Sequence, residues 1–278
     1  MKIRREGFFI KLVYVIALAC LLCIGLNAAS FAESDKLTVR VMTRNMDAGT
    51  DLNYVTAPGA DFELGLQLTF AEVYASNIPA RAEQLAEEIA AVEPDLIALQ
   101  EVTLWNILDP NGSPVVYDQL ELLKSALDAK GQHYRVLVVQ PLTDILLPIS
   151  DLFTARFTDH NAILVRSDLP PGHLDIIGTE SHLYENQLFF TLPAPFDKTI
   201  PLPNGWMTVD VKIRGARFKF VNTHLLSPVP AAVSQDAFNL TSQLQQAQAY
   251  ELLDALDATS LPVILDTDGQ PLCLTQKP

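Results

Sequence analysis

An apolar segment that ends in a carboxylate has the clearest chemical meaning in this chain. Residues 95–99 predict a short buried strand, and Gln100 and Glu101 follow it directly. In open α/β sheets, ligands and catalytic groups collect at the carboxyl ends of strands. A carboxylate there suits a hard cation such as Mg²⁺, which binds oxygen ligands. Glu101 is therefore a candidate metal ligand, and the alternative is a solvated acid at a strand end.

An amide side chain follows a second predicted strand in the same way. Residues 37–41 predict the strand, and Asn45 and Asp47 come just after it. Two strands that each end in an acid or an amide indicate the two halves of one metal site. Asn45 could complete this site through its amide oxygen or by holding a bound water.

Two further polar residues stand at predicted strand ends. His224 ends the strand 218–223, which forms a hairpin with residues 207–213 around Gly215. A histidine there can donate to a phosphate oxygen and stabilise the charge of a transition state; the alternative is a structural histidine. Asn161 begins the strand 162–166, where it would contact phosphate or cap the strand entry.

Five segments together resemble the endonuclease/exonuclease/phosphatase superfamily of metal-dependent phosphodiesterases. That family includes pancreatic-type deoxyribonuclease, abasic-site endonucleases and bacterial sphingomyelinases. The segments are, in chain order, Arg44-Asn45-Met46, Gln100-Glu101, Asn161-Ala162-Ile163-Leu164, Asn222-Thr223-His224-Leu225 and residues 262–270. The resemblance runs from about residue 37 to the end of the sequence.

The resemblance implies a role for each matching residue. Glu101 would bind Mg²⁺ or Mn²⁺ with Asn45 beside it, and His224 would face the phosphate. Asp268 and Gln270 fall on the positions that orient the attacking water. The implied fold is α/β: a four-layer α/β sandwich of two packed mixed β-sheets with outer helices.

The last motif departs from the family pattern. Gln270 stands where the family has Asn, and Gly269 replaces an aromatic residue. The family closes with a further strand pair and a Ser-Asp-His whose His is the general base, and no Asp-His follows Asp268 here. Two hypotheses therefore remain open: a phosphodiesterase, or a catalytically inactive or truncated member that at most binds a phosphorylated ligand. A metal-independent esterase is set aside because no Gly-x-Ser-x-Gly occurs.

The N-terminus predicts a secretory signal peptide over residues 1–32. Four basic residues precede the apolar run 12–26, and Ser30-Phe31-Ala32 offers small residues for cleavage near Ala32. An uncleaved membrane anchor is the alternative. The prediction is a secreted or periplasmic protein with one domain, 33–278, that lacks the family's C-terminal strands. Two of the three cysteines lie in the signal, so the mature chain cannot form an internal disulfide.

The charge of the chain restricts its substrate. The formal net charge is −14, and residues 1–32 contribute +3, which leaves −17 on the rest. Such a polyanion is repelled by bulk DNA, because non-specific binding depends on Lys and Arg contacts to phosphates. A nuclease with a local basic patch stays open, beside a phospholipid headgroup or a small phosphodiester as substrate. We expect a monomer whose partner is a phosphoester, with contact to membrane lipids left open.

Periodicity predicts the elements that would position these residues. Helices are predicted over 78–92, 117–129 and 237–258, and residues 49–60 are expected to form a loop at the rim of the site. Residues 140–158 are apolar but irregular, which favours a packed loop over a lid or a membrane-touching loop. The remaining predicted strands are 134–139, 173–180, 187–192 and 262–265.

Overall fold

The largest β-sheet among the described residues, called the larger sheet below, has six strands and is mixed. The computed structural model describes residues 38–56, 60–108, 114–150, 153–192, 197–213, 215–256, 264–265 and 271–272, and the unit Arg40–Pro278 contains every described strand and helix. Strand β1 runs parallel to β2, and the other pairs are antiparallel. The spatial order is β1-β2-β6-β3-β4, with β5 also paired to β6. The strands are β1 (Val41–Asn45), β2 (Leu96–Gln100), β3 (Leu104–Leu108), β4 (Pro114–Asp118), β5 (Tyr134–Ser150) and β6 (Phe153–Arg166).

The second sheet has three antiparallel strands among the described residues. They are β7 (Asp175–Leu183), β10 (Gly205–Ile213) and β11 (Ala216–His224), with β10 in the centre. A separate hairpin joins β8 (Leu188–Leu192) to β9 (Lys198–Leu202). The short strands β12 (Ile264–Leu265) and β13 (Pro271–Leu272) pair with each other.

Five helices are described, and two of them cover one face of the larger sheet. They are α1 (Asn53–Thr56), α2 (Phe62–Ala75), α3 (Ile78–Val92), α4 (Gln119–Ala129) and α5 (Gln235–Ala255). Helix α3 has the predicted bounds: Pro79 suits its first turn, and it ends where Glu93 adopts a left-handed φ of 50° before Pro94. Leu85 and Ile89 of α3 pack on the sheet together with α4.

The other face of the larger sheet packs on the second sheet. Leu96, Ile163 and Val165 meet Met207 and Val209 there in one buried cluster. The α/β class, the two packed sheets and the helices outside the larger sheet are thus confirmed. The second sheet is antiparallel in its described part, whereas both sheets were expected to be mixed.

The prediction of a loop over residues 140–158 is wrong. Its described residues, 140–150 and 153–158, belong to the long antiparallel pair of β5 and β6. The register shifts between Val136 and Val138, Pro141 and Asp144, and Pro148 and Ser150. Each shift interrupts the two-residue alternation by which a strand is recognised in a sequence, because an extra residue reverses the side-chain direction.

Several boundaries also differ from the predictions. Strand β1 spans Val41–Asn45, whereas the prediction was 37–41, so the two share only Val41. Helix α4 begins at Gln119 because the Asp118 side chain accepts a hydrogen bond from the Glu121 amide, and Tyr117 belongs to β4. Helix α2 and strand β3 were not predicted, and the expected loop 49–60 contains α1.

Some predictions fall outside the part of the chain that the structure describes. These are the signal peptide, residues 1–32, and the candidate residues Asp268 and Gln270. Within the described residues, no helix is both long and apolar enough to cross a membrane.

Candidate active site

Glu101 stands at the end of a fully buried strand. All five residues of β2 are buried, and Glu101 follows them with a φ of 50°, in the left-handed region that non-glycine residues rarely adopt. Its Oε1 accepts a hydrogen bond from Asn45 Nδ2 at 2.7 Å, and its Oε2 accepts one from the Ala48 amide at 2.9 Å. These bonds hold the carboxylate in one orientation despite the unusual backbone.

The loop that supplies the Ala48 amide is itself fixed from three directions. Trp105 Nε1 donates to the Ala48 carbonyl at 2.8 Å, and Gln119 Nε2 donates to the Asp47 carbonyl at 2.7 Å. Arg81 donates to the Met46 carbonyl. The donors come from β3, α4 and α3, so the larger sheet and its helices jointly position Glu101.

Asn45 meets Glu101 because β1 and β2 are parallel neighbours. Asn45 pairs with Gln100 across the two strands, so both strand ends reach the same edge of the sheet, as expected. The Asn45 amide nitrogen faces Glu101, while its Oδ1 accepts from the Asp47 amide at 2.7 Å. In this arrangement Asn45 orients the carboxylate, and its role as a metal ligand stays a prediction.

His224 reaches the same place from the second sheet. It is the last residue of β11, and its Nε2 lies 3.5 Å from Glu101 Oε1. Its Nδ1 is buried and has no hydrogen-bond partner in the described part of the chain. Burial lowers the pKa of His224, and the Glu101 carboxylate partly opposes this shift. The ring is therefore held towards its neutral form.

Asp159 is a second carboxylate at this site, and sequence reasoning missed it. It lies on β6 and lines the same cavity as Glu101 and His224. Burial, and next the charge of Glu101, raise the pKa of Asp159 to about 7. Its Oδ1 is buried without a hydrogen-bond partner among the described residues. The sequence did offer one indication of Asp159: it stands two residues before the candidate Asn161, and this spacing places both on one face of β6.

Asn161 does not reach the cavity. It is fully buried, its Nδ2 donates to Gln140 Oε1 at 3.1 Å, and it is not among the residues that line the cavity. In this structure Asn161 belongs to the buried core, and its contact with phosphate stays a prediction. It stands at the strand entry in the sequence but under the second sheet in the fold.

Asn222 links the two sheets beneath the site. Its Nδ2 donates to the carbonyls of Leu99 at 2.9 Å and Ala162 at 3.0 Å, and its Oδ1 accepts from Gln100 Nε2 at 2.6 Å. It is buried and lies two residues before His224 on the same strand. Asn222 thus connects the strand of His224 to the strand of Glu101.

A cavity of about 340 Å³ opens beside these residues. Glu101, Asp159 and His224 line one part of it, and most of the remaining wall is apolar. A cavity of this size falls within the range of small-molecule sites. The site therefore combines a polar group that could act on a substrate with room for part of that substrate.

The donor types at the site fit a hard cation. Within the described residues, no group of three or more His, Cys, Asp or Glu side chains is arranged to hold a metal. Mg²⁺ typically takes one or two carboxylates and keeps several waters, so it does not require such a group. Glu101 and Asp159 offer two carboxylates, and Asp159 Oδ1 has no other partner in this part of the structure.

Comparisons with known proteins gave matches only among solved structures. No family model and no curated protein matches the sequence. The chain is similar to an endonuclease/exonuclease/phosphatase from Beutenbergia cavernae DSM 12333, with 20% identity, a TM-score of 0.42, and coverage of 79% of this chain and 44% of that chain. A mannosyl-6-phosphatase of Bacteroides thetaiotaomicron VPI-5482 gives 16% identity, a TM-score of 0.42, and coverage of 81% and 62%.

A third similar structure is a β-hairpin deletion mutant of the beta toxin of Staphylococcus aureus. It gives 12% identity, a TM-score of 0.39, and coverage of 82% of this chain and 64% of that chain. The chain thus spans less than two thirds of each of these three proteins. With TM-scores below 0.5, the likenesses carry no conclusion about chemistry. One of the three bears the name of the superfamily that the sequence motifs resemble.

Proposed function

We propose that this chain is a metal-dependent phosphodiesterase of the endonuclease/exonuclease/phosphatase kind. The observation that carries the proposal is the meeting of Glu101 and His224, which arrive from two different sheets and stand 3.5 Å apart. An acid and a histidine brought together at strand ends beside a cavity are typical of a catalytic site. A structural role for both would not require the open space next to them.

Glu101 and Asp159 would hold the cation, which would be Mg²⁺ or Mn²⁺. When bound, such an ion polarises a phosphoryl oxygen and stabilises the leaving oxygen. Asn45 keeps the Glu101 carboxylate facing the cavity through its 2.7 Å hydrogen bond. The high pKa of Asp159 follows from burial beside a like charge, and a cation bound by these residues would relieve that repulsion.

His224 would stabilise the charge that develops on the phosphoryl oxygens. A neutral imidazole keeps one N–H donor, and burial favours this neutral form. A donor already placed in a partly dry site needs little reorganisation when the charge develops. Asp268 and Gln270, outside the described residues, are proposed to orient the attacking water.

The remaining parts of the proposal concern substrate and location. A net charge of −14 disfavours bulk DNA and favours a small phosphodiester or a phospholipid headgroup. The basic and apolar N-terminal segment supports secretion or export, with cleavage near Ala32. We propose that the mature protein acts as a monomer.

A second candidate is an inactive member of the family that binds a phosphorylated ligand. One observation favours it: Gly269 and Gln270 depart from the last motif of the family that the sequence resembles. Such a protein would keep Glu101 and His224 but would not turn over.

Metal dependence of hydrolysis tests the proposal. The purified protein is assayed on bis(p-nitrophenyl) phosphate with Mg²⁺, with Mn²⁺ and with EDTA. We expect release of p-nitrophenol that requires a divalent ion and returns when Mg²⁺ is restored after chelation. Hydrolysis that is unchanged in EDTA would contradict a metal-dependent enzyme. A folded protein without any hydrolysis, but with measurable binding of phenyl phosphate, would support the second candidate.

A further inference from the structure

We infer that the cavity beside Glu101 and His224 is a subsite for an alkyl or aryl group, so that the substrate is a phosphoester carrying one apolar substituent. This inference rests on the proposed function for the position of the phosphate. The cavity begins at Glu101, Asp159 and His224 and continues between apolar walls. A phosphate held at the polar part would direct its ester substituent into the apolar part.

One wall of the cavity is a single face of the β8–β9 hairpin. Leu188, Phe190 and Leu192 alternate along β8 and line the cavity, whereas Phe189 points away and is 63% exposed. Phe190 is paired with Ile200 across the hairpin, and Ile200 also lines the cavity. The hairpin therefore presents a continuous apolar surface to the site.

The facing wall comes from the larger sheet and the helices beside it. Trp105 and Phe157 form its buried base, and Val55, Phe62 and Ile145 pack against the same cluster. These residues belong to α1, α2, β3, β5 and β6, so the wall is part of the folded core. A group that enters the cavity would be buried between this wall and the hairpin.

The charges around the cavity argue against a polyanionic substrate. Among the described residues that line it, none is Lys or Arg, while Asp51, Glu101 and Asp159 are acidic. A nucleic-acid strand brings further phosphates on both sides of the scissile bond and is bound through basic side chains. An uncharged apolar substituent meets no such repulsion, and its burial is favourable.

Binding measurements with a homologous series test the subsite directly. Butylphosphonate and octylphosphonate, in which the alkyl chain is joined to phosphorus by a carbon bond that hydrolysis does not break, are titrated calorimetrically into the protein with Mg²⁺. Each methylene that enters the cavity should tighten binding about threefold to fourfold, from roughly 0.8 kcal/mol per buried methylene. The octyl compound should therefore bind more than tenfold tighter than the butyl compound.

Two neighbouring phenylalanines provide the matched comparison. Phe190→Ser should remove most of the affinity that the octyl compound gains over the butyl compound. Phe189→Ser, on the opposite face of β8, should keep this gain in affinity. Leu202→Ser, from the other strand of the hairpin, serves as a second cavity variant, and thermal melting checks that each variant is folded. Equal affinity for both compounds, or equal losses in Phe189→Ser and Phe190→Ser, would overturn the inference. A dinucleotide that binds tighter than the octyl compound would also overturn it.

Hydrolysis separates this inference from the proposed function. The methyl and octyl esters of p-nitrophenyl phosphate are compared as substrates. Chain-length-dependent binding without hydrolysis would keep the subsite and reject the phosphodiesterase. Hydrolysis of both esters with the same KM, and no gain in phosphonate binding, would keep the enzyme and reject the subsite.

Discussion

The two strands that bring Glu101 and His224 together differ in how the fold supports them. Strand β2 lies between β1 and β6, with helices on one face and the second sheet on the other, and all its residues are buried. Strand β11 pairs only with β10 in the described part of the chain, and its first four residues are exposed. The carboxylate thus comes from the centre of the fold and the histidine from an edge.

This difference extends to the side chains. Glu101 is held by hydrogen bonds from Asn45 and the Ala48 amide, both close to it at the same sheet edge. His224 has a buried Nδ1 without a described partner and contacts Glu101 only through Nε2. His224 pairs with Gly205 of β10, and Asn222 ties its strand to the larger sheet. A locally fixed carboxylate is combined with a histidine that is fixed by packing between sheets.

The largest expected effect comes from removing the charge of the locally fixed residue. Glu101→Gln keeps the size of the side chain but removes the anion that would hold the cation. We expect kcat/KM for bis(p-nitrophenyl) phosphate to fall about 10³-fold, because metal and electrostatic stabilisation of the transition state would be lost. Glu88→Gln, an exposed acid on α3 paired with Arg44, is the control and should stay near the wild-type value. Similar losses in both variants would remove Glu101 from the mechanism.

The next effect concerns the packed histidine. His224→Asn should lower kcat by about 10²-fold, as expected for one hydrogen-bond donor to a developing anion. Metal affinity should change much less than in Glu101→Gln, and titration with Mn²⁺ measures this difference. The matched control is His133→Asn, since His133 is exposed and pairs with Asp128 away from the site. A loss of metal binding equal to that of Glu101→Gln would place His224 in the metal site.

A third change breaks the connection between the two strands. Asn222→Ala removes three hydrogen bonds and leaves the Leu99 and Ala162 carbonyls and Gln100 Nε2 without this partner in the core. We expect the free energy of unfolding in urea to fall by about 2–3 kcal/mol, since three buried hydrogen bonds are lost and each contributes about 1 kcal/mol. The exposed Asn106→Ala on β3 should change it by less than about 0.5 kcal/mol. Equal stability of the two variants would contradict the role of Asn222 as a tie between sheets.

The smallest expected effect is a pH-dependent change at Asp159. Its pKa is raised from 3.8 to about 7 in the fold, so the folded state binds this proton more tightly than the unfolded chain. The stability that this proton contributes is complete below about pH 4 and is lost as the pH rises through about 7. In EDTA, the Tm of Asp159→Asn minus the Tm of the wild type is measured at pH 5 and at pH 8. This difference should be a few degrees larger at pH 8.

The exposed Asp175→Asn provides the control for this shift. It should leave the difference in Tm between pH 5 and pH 8 as in the wild type. If Asp159→Asn behaved in the same way, burial and the charge of Glu101 would not raise the pKa of Asp159.

Local patterns in the sequence were enough for several elements. Helix α3 was predicted to the residue, because Pro79 suits its first turn, Leu85 and Ile89 recur at helical spacing, and Pro94 prevents continuation. Strand β2 followed from an unbroken apolar run bounded by polar residues. In β5 and β6 the parts 134–139 and 162–166 were predicted as strands, but the parts within 140–158 were not, since three register shifts break the alternation.

The sequence by itself determined that Asn45, Glu101 and His224 stand at strand ends, because strand termination depends on nearby residues. Their convergence, the inward face of Asp159, the role of Asn222 and the apolar cavity were decided only by tertiary structure. The physical reason is that successive side chains of a strand point to opposite faces, so each face repeats every two residues. Only the partner sheet determines which face is buried. Asn161 shares one face of β6 with Asp159, yet it is fully buried while Asp159 lines the cavity, a difference that the local sequence does not show.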